Sequence, residues 1–517
     1  MNELAQIEIE LNYNYGFSWF IKNNIFVKGY VFNEKGDLLK EEDLIKHLST
    51  IDTEIQFETF LKKIKGLFSI IVLRGEKLFA AVDRTRTFPL FYMHHNQKLI
   101  VTDNSSYLKE KFDLPINDLS KREFLYTGYV TGDQTLINSV YQIKAGEFLF
   151  FDKKTKNIGY SDFTVSENKL KNSLSVEDEL YSLLNESISR LIESAQGRTI
   201  VIPLSGGYDS RVIATLLKNK NYKKVICFSY GVKNSIDAKI SKEVARKLNF
   251  PWHFVDYDKI DFNQKLIETR EFVDYYNFAF NNVSVFLLQD FFAVKYLNNN
   301  NIIPKDSIIV PGHSGDFLVG NHLYPFDKNK ISNKSVMKQI LKRHYVLNAY
   351  LKDNEIEKKL IHQIPNEGLS YSKIDNFNLK ERQSKFIVNA NRVYEYFGYE
   401  HRLPLWDDDL VDFFRKLPFH YKINSILYFK VIIEKIFIPN DVYIIPPDKN
   451  KSRLIRTLKE YIPIPLAYCL RYLLHNNKML NTNVGYFKVL KPMVSKYNIK
   501  SYQINGILSK WLIKELF

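Results

Sequence analysis

The pattern of hydrophobic and polar residues changes character near residue 160. Up to that point, short apolar segments separated by turn residues predict a mostly β region with few helices. The strands predicted there are Ile25–Phe32, Gly66–Leu73, Leu78–Val82 and Leu99–Thr102, and the helices are Glu41–Leu48 and Glu58–Lys65. We therefore predict a first domain at 1–160 built of α+β layers, followed by a polar linker at 161–175.

From residue 176 onward, strands and helices alternate. An amphipathic helix at Val176–Ala195 comes first. The segments after it are strands at Ile200–Leu204, Lys224–Tyr230, Trp252–Val255 and Asp306–Val310, with a helix at Asp237–Leu248. Such alternation is typical of a doubly wound parallel sheet, and the chain beyond about residue 321 is predicted to be mostly helical. The predicted fold class is α/β, with a second domain at 176–517 that ends in a helical extension.

Composition limits the class of protein. With 517 residues, 45% hydrophobic and 25% charged, the chain is long enough for two unequal globular domains. The net charge of +15 suggests nucleic acid as a partner, but 58 acidic residues are mixed with 73 basic ones, which favours a solvated, lysine-rich surface. The two cysteines argue against a disulfide scaffold. No apolar run reaches the roughly 20 residues that span a bilayer, so we expect a cytoplasmic protein.

A glycine-rich loop, Ser205–Ser210 with the sequence SGGYDS, follows the strand Ile200–Leu204 and precedes a helical pattern. A strand that turns through glycines into a helix directs several backbone N–H groups at one point, where an anion such as phosphate can bind. No Gly-Lys-Ser/Thr follows the glycines, so this first glycine loop is not the common phosphate-binding loop. The alternative is a strand-to-helix turn that binds nothing.

A second glycine loop, Pro311–Gly320, follows the strand Asp306–Val310. Ligands bind outside the carboxyl ends of strands in open α/β sheets, so we expect both loops to face one site. Asp209 and Asp316 carry hard oxygen ligands that suit Mg²⁺ shared with phosphate, although each could instead cap a helix. His313 is either a base or a hydrogen-bonded loop histidine.

The SGGYDS string resembles the pyrophosphate loop of the asparagine synthetase family of ATP pyrophosphatases. The chain is similar also to β-lactam and lasso-peptide synthetases, which carry the same kind of loop. The second glycine loop matches the family's Gly-Glu-Gly-Ser-Asp-Glu run at Gly312, Asp316 and Gly320, with His313 in place of its first glutamate. The segment 398–407 is similar to the family's Gly-x-Glu-x-Arg-x-Pro motif. The resemblance covers nearly the whole chain in the same order.

The resemblance implies ATP and Mg²⁺ as cofactors and assigns the site residues. It implies a catalytic role for Lys430 at the α-phosphate, whereas the pattern alone places this lysine on a solvated helix face. It also implies metal binding by Asp209 and Asp316, whereas His313 is a candidate catalytic base on its own chemistry. The implied ATP-binding residues are Leu204, Ser205, Gly206, Gly207, Asp209, Ser210, Tyr230, Gly231, Pro311 and Gly312.

Residues 66–92 and 129–151 resemble the N-terminal glutaminase domain of the same family, which implies an Ntn-hydrolase-like fold. Active members have a cysteine at position 2, whereas this chain has Asn2 and no cysteine before Cys227. An asparagine side chain cannot replace the thiol that attacks a carbonyl. We therefore expect a degenerate first domain without glutaminase activity.

These features predict an AMP-forming amide ligase that adenylates a small-molecule or sugar-linked carboxylate and transfers the acyl group to ammonia or another amine. Two alternatives are an RNA-modifying enzyme with the same loop and an inactive relative that acts as a binding protein. Because RNA-modifying relatives often use paired cysteines, which are absent here, we expect no nucleic acid partner.

One further segment, Lys449–Leu474, has basic residues followed by an interrupted apolar stretch. This order predicts weak contact with a membrane surface, and the alternative is a pair of packed C-terminal helices.

Overall fold

A computed structural model gives the fold of the chain. It describes residues 7–165, 175–262, 264–350, 352–445, 487–501 and 503–517. Asn2, the predicted membrane-surface segment Lys449–Leu474 and most of the predicted linker lie outside these residues. Within the described ranges, none of the helices is both long enough and apolar enough to cross a bilayer.

Residues 7–160 contain two β-sheets. Their strands are β1 (Ile7–Glu10), β2 (Phe20–Lys22), β3 (Ile25–Phe32), β4 (Leu38–Leu39), β5 (Lys65–Arg74), β6 (Lys77–Val82), β7 (Phe91–His95), β8 (Lys98–Thr102), β9 (Tyr141–Gln142), β10 (Glu147–Asp152) and β11 (Lys154–Gly159). The larger sheet has the order β11-β10-β6-β5-β3-β2, with β4 paired to β3, and the smaller has the order β1-β8-β7-β9. β1 and β8 are parallel, and their neighbours in both sheets pair antiparallel.

The two sheets and the helices of this region form four layers. The helices are α1 (Glu41–Leu48), α2 (Glu54–Lys63), α3 (Ser105–Phe112) and α4 (Asp118–Thr127). Leu44 of α1 and Phe57 of α2 pack on one face of the larger sheet, and the other face packs on the smaller sheet. Leu108 of α3 and Phe124 of α4 then cover the smaller sheet. Both sheets are therefore buried on two faces, which explains the long apolar run in β5.

Several predicted elements of this region can be compared with the structure. The strand Ile25–Phe32 and the helix Glu41–Leu48 are confirmed as β3 and α1. The helix predicted at Glu58–Lys65 is wrong at both ends, because α2 starts four residues earlier and ends two residues earlier. Thr53 and Gln56 form a capping box there, in which each side chain binds the other's backbone N–H.

The second half of the chain is organised by a five-stranded parallel sheet. Its strands are β12 (Ile200–Pro203), β13 (Val225–Gly231), β14 (Trp252–Asp256), β15 (Ile308–Ile309) and β16 (Glu400–His401). The order is β14-β13-β12-β15-β16, and all four pairings are parallel. The predicted parallel sheet and α/β class are thus confirmed. The chain leaves β12 toward β13 and returns on the other side at β15, so β12 and β15 flank a topological switch point.

The second half of the described chain is otherwise mostly helical. The helices are α5 (Val176–Ala195), α6 (Asp209–Asn219), α7 (Ile236–Leu248), α8 (Gln264–Ile267), α9 (Arg270–Phe280), α10 (Phe291–Asn299), α11 (Gly315–Leu318), α12 (Asn333–His344), α13 (Asn354–Gln363), α14 (Ser370–Phe377), α15 (Arg392–Tyr396), α16 (Asp408–Lys416), α17 (Phe419–Lys422), α18 (Ile426–Val431), α19 (Phe487–Tyr497) and α20 (Ile504–Leu516). Two segments are π-helical, Asn378–Val388 and Ile432–Phe437.

The two halves of the chain share a buried polar interface. Lys385 on the first π-helical segment donates to the carbonyl oxygen of Val130 at 3.0 Å and pairs with Glu381 at 2.6 Å. The same glutamate accepts a hydrogen bond from the N–H of Gly132 at 3.0 Å. The first half therefore holds the π-helical segment in place through the loop that follows α4.

Candidate active site

The first glycine loop connects β12 to α6 and is held by its own serines. The N–H of Ser205 donates to Ser210 Oγ at 3.2 Å, and the N–H of Gly207 donates to Ser205 Oγ at 3.2 Å. A Cβ on Gly206 would lie 2.3 Å from Asp237 Oδ1, so the glycine permits the close approach of α7. The loop is thus a compact turn at a helix N-terminus, which is the arrangement that binds anions.

Asp209 is the first residue of α6 and not its cap. Tyr208 occupies the N-cap position, with no capping hydrogen bond from its side chain, so the alternative role of Asp209 as an N-cap is excluded by the geometry. Asp209 Oδ1 accepts a hydrogen bond from the hydroxyl of Tyr428 at 3.1 Å. Burial raises the pKa of Tyr428 well above its usual value, so this hydroxyl stays protonated and donates.

The second glycine loop packs directly on the start of α6. A Cβ on Gly312 would lie 2.5 Å from the N of Ser210, and one on Gly315 would lie 2.4–2.6 Å from the carboxylate atoms of Asp209. Ser314, with φ +71°, takes the N-cap position of the short helix α11, so Asp316 does not cap it. The side chain of Asp316 is exposed. Gly315, the residue before Asp316, therefore lies directly against the carboxylate of Asp209.

His313 is oriented by Asn391. Asn391 Nδ2 donates to the carbonyl oxygen of Val388 at 2.8 Å, which leaves Oδ1 to accept from His313 Nδ1 at 3.1 Å. Nε2 of His313 consequently carries the lone pair. Burial lowers the pKa of His313 below its usual value, while nearby Asp290 and the bond to Asn391 oppose the shift, so the ring is neutral near pH 7.

Asp290 is a site residue that the sequence patterns did not indicate. It is 3% exposed and accepts hydrogen bonds from the hydroxyls of Tyr230 and Tyr394, the latter at 2.6 Å. Asp290 and Tyr394 follow no predicted strand and lie in no glycine motif, which is why motif spacing could not find them. Tyr230 was predicted because it ends the second strand.

These residues surround one cavity of about 480 Å³ at the carboxyl ends of β12, β13 and β15. The predicted residues that line it are Leu204, Ser205, Gly207, Asp209, Ser210, Tyr230, Pro311, Gly312, His313 and Asp316. Gly206 and Gly231 lie next to lining residues in the chain. The volume is in the range of ligand pockets. The structure thus brings the predicted ATP, metal and base residues together around one cavity.

Lys430 is not brought to this cavity. It lies on α18 with its side chain 47% exposed, and its Nζ pairs with Glu177 of α5 at 2.6 Å. Lys430 therefore does not occupy the predicted position at the α-phosphate. It lies on a solvated helix face, which was the alternative for this residue. Phe429, its neighbour in the chain, lines the cavity instead.

Comparison with known proteins gives one family match. The family model for asparagine synthase matches residues 179–467, more than half of the chain. None of the curated proteins matches. An NH3-dependent NAD synthetase from Campylobacter jejuni is similar at 13% identity over 41% of this chain and 95% of that chain, with a TM-score of 0.23. A glutamine phosphoribosylpyrophosphate amidotransferase from B. subtilis is similar at 13% identity over 47% and 75%, with a TM-score of 0.19. By the family match, the chain belongs to the asparagine synthase family of ATP-dependent, amide-forming synthetases.

Proposed function

We propose that the protein is an AMP-forming amide ligase of the asparagine synthetase type that uses no glutaminase of its own. One observation carries the proposal: the first glycine loop, Asp209 and Asp316 line a single cavity at the carboxyl ends of the adjacent parallel strands β12 and β15. An anion-binding loop beside two carboxylates fits a nucleoside triphosphate with a divalent cation.

The donor set fits Mg²⁺. Asp209 and Asp316 offer hard carboxylate oxygens, and the absence of a side chain on Gly315 leaves the space that the carboxylate of Asp209 fills. Two protein carboxylates would leave the other positions around the ion to phosphate oxygens and water. When bound, Mg²⁺ would neutralise charge on the pyrophosphate leaving group.

The first reaction would activate the carboxylate substrate, which we propose is a small molecule or a sugar-linked acid. One of its oxygens attacks the α-phosphorus of ATP, and the bond to the β-phosphate breaks with release of pyrophosphate. The hydroxyls of Ser205 and Ser210 and the backbone N–H groups of the first glycine loop would hold that leaving group.

The second reaction would transfer the acyl group to nitrogen. The amine attacks the acyl carbon, the bond to the AMP oxygen breaks, and AMP leaves with the electron pair. Neutral His313, with Nε2 as acceptor, would take the proton that the amine loses.

The nitrogen would not come from glutamine hydrolysed by the same chain. Cys227 is the first cysteine in the sequence, and it is fully buried in β13. Burial raises the pKa of its thiol to about 12, so it cannot supply a thiolate near neutral pH. The amine or ammonia is therefore expected to reach the cavity directly.

The proposal is tested by pyrophosphate release from ATP in the presence of Mg²⁺ and a panel of carboxylates. Asp209→Asn should lower the rate at least about 100-fold, because a metal ligand and its charge are lost together. Asp52→Asn, an exposed change in the first half of the chain, is the matched control and should keep the wild-type rate. Unchanged turnover in Asp209→Asn would overturn the proposal.

A further inference from the structure

Asp290 occupies the N-cap position of α10 without capping it. Its side chain accepts no capping hydrogen bond from the first turn of α10 and instead accepts from the hydroxyls of Tyr230 and Tyr394 on the wall of the cavity. Two hydroxyl donors and a helix N-terminus all stabilise a negative charge. The carboxylate of Asp290 thus lies almost fully buried, with two hydroxyl donors beside it.

Asp290 has no ion-pair partner among the described residues. The residues that line the cavity include four aspartates but no lysine or arginine. Two of the four, Asp209 and Asp316, are the proposed Mg²⁺ ligands, and Asp237 lies against the first glycine loop. Asp290 is thus a buried carboxylate that lines a ligand cavity without an ion-pair partner in the described part of the chain, an arrangement that a cationic ligand group would complete.

Asp290 and His313 line the same cavity. The charge of Asp290 also raises the pKa of His313, against the larger effect of burial. An amine at neutral pH enters as an ammonium ion, which needs an anion to bind it and a base to remove a proton before it can attack. Asp290 and neutral His313 could supply these two functions within one cavity.

Stacking holds one of the two hydroxyl donors in place. Tyr230 stacks on Tyr257 with ring centroids 5.2 Å apart and an angle of 18° between the planes. The hydroxyl that Tyr230 donates to Asp290 is therefore fixed at the cavity wall.

We propose that Asp290 is a specificity-determining residue that binds the acceptor substrate as a primary ammonium group. The inference rests on the proposed ligase function and adds to it the class of the acceptor, a primary amine that carries its own substituent. The ammonium nitrogen binds the carboxylate of Asp290 and gives one proton to Nε2 of His313. The freed lone pair then attacks the acyl carbon, the bond from the acyl carbon to the AMP oxygen breaks, and the second proton of the nitrogen passes to the departing AMP phosphate.

The test measures binding to the full-length protein with Mg²⁺ and α,β-methylene-ATP, a nucleotide that cannot release pyrophosphate. The probes are n-butylammonium and its neutral isostere 1-butanol. Their binding is measured by titration calorimetry at about pH 7.5, where the amine is charged. Wild type should bind n-butylammonium at least about ten-fold more tightly than 1-butanol, because a charged hydrogen bond is stronger than a neutral one. Asp290→Asn should remove that preference, and Asp52→Asn should keep it.

Three results would overturn the inference. One is an equal affinity of wild type for the two probes, a comparison that needs no variant and so holds even if Asp290→Asn does not fold. Another is an unchanged preference in folded Asp290→Asn. The third is a variant that loses affinity for α,β-methylene-ATP instead, since this would assign Asp290 to the ribose hydroxyls. The ligase proposal is judged separately, by whether the nucleotide binds wild type before any probe is added.

Discussion

The protonation state of His313 is set by three features that act at the scale of single residues. Burial lowers its pKa, Asp290 raises it, and Asn391 fixes which nitrogen carries the proton. The amide of Asn391 is in turn held by Val388. A histidine in this setting is neutral near pH 7 and accepts a proton only at Nε2.

This setting predicts the pH dependence of amide formation. Protonated imidazole cannot act as a base, so kcat should fall as the pH drops through the pKa of His313. Because burial places that pKa below its usual value of about 6.5, the acid limb should lie below pH 6.5 and the rate should be level above it. The measurement is kcat against pH with the substrates found by a mass-spectrometric screen.

His313→Gln is the companion variant. It should lower the level rate by about 100- to 10,000-fold and remove the acid limb. An acid limb that persists unchanged in this variant would show that another group acts as the base.

At the scale of elements, two glycine loops from neighbouring strands share one volume. Gly312 and Gly315 of the second loop lie against Ser210 and Asp209 at distances that exclude any side chain. The switch in strand order at β12 and β15 makes the two loops adjacent. The position of the Asp209 carboxylate therefore depends on a residue more than 100 positions away in the chain.

Gly315→Ala tests this dependence. The new Cβ would lie 2.4–2.6 Å from the carboxylate of Asp209 and must displace it, so pyrophosphate formation should fall at least about ten-fold in a protein that still folds. Gly159→Ala is the matched control, because its Cβ would meet nothing closer than 4.0 Å. Equal rates for the two variants would contradict the account of the loops.

The elements also show what the sequence could and could not predict. Strand ends followed by glycine, as at Ser205 and Gly312, are local signals, and the structure places them together as expected. Asp290 and Asn391 reach the site from segments without such a signal, through contacts made only in the folded chain. Tertiary contacts also decide which face of a helix points toward the site. The prediction for Lys430 therefore did not match its exposed position.

At the scale of the whole molecule, the first half of the chain supports the cavity from a distance. Its loop after α4 binds Glu381 and Lys385 of the first π-helical segment. This segment ends three residues before Asn391, which accepts the hydrogen bond from His313. This contact gives the first half a structural role that needs no catalytic residue of its own.

Lys385→Met is predicted to destabilise the protein by about 3–5 kcal/mol, because it leaves the buried carboxylate of Glu381 without its cation. Lys435→Met, which removes an exposed ion pair with Asp178, should cost less than about 1 kcal/mol. Chemical denaturation of the two variants measures the difference. Similar free energies of unfolding would mean that the interface contributes little to stability.

Because Cys227 is the first cysteine of the sequence and its thiol is fully buried, we predict that glutamine is not a nitrogen donor for the isolated protein. Incubation with glutamine should yield no glutamate above the background of buffer alone. Hydrolysis that is blocked by a thiol-reactive glutamine analogue would contradict this expectation.

The central claim is that the cavity cleaves ATP between the α- and β-phosphates to activate a carboxylate. Phosphorus NMR of the products formed from ATP, Mg²⁺ and the carboxylate panel tests it most directly. The account predicts resonances of AMP and pyrophosphate that appear together and are missing for Asp209→Asn. ADP and inorganic phosphate as the products would contradict it.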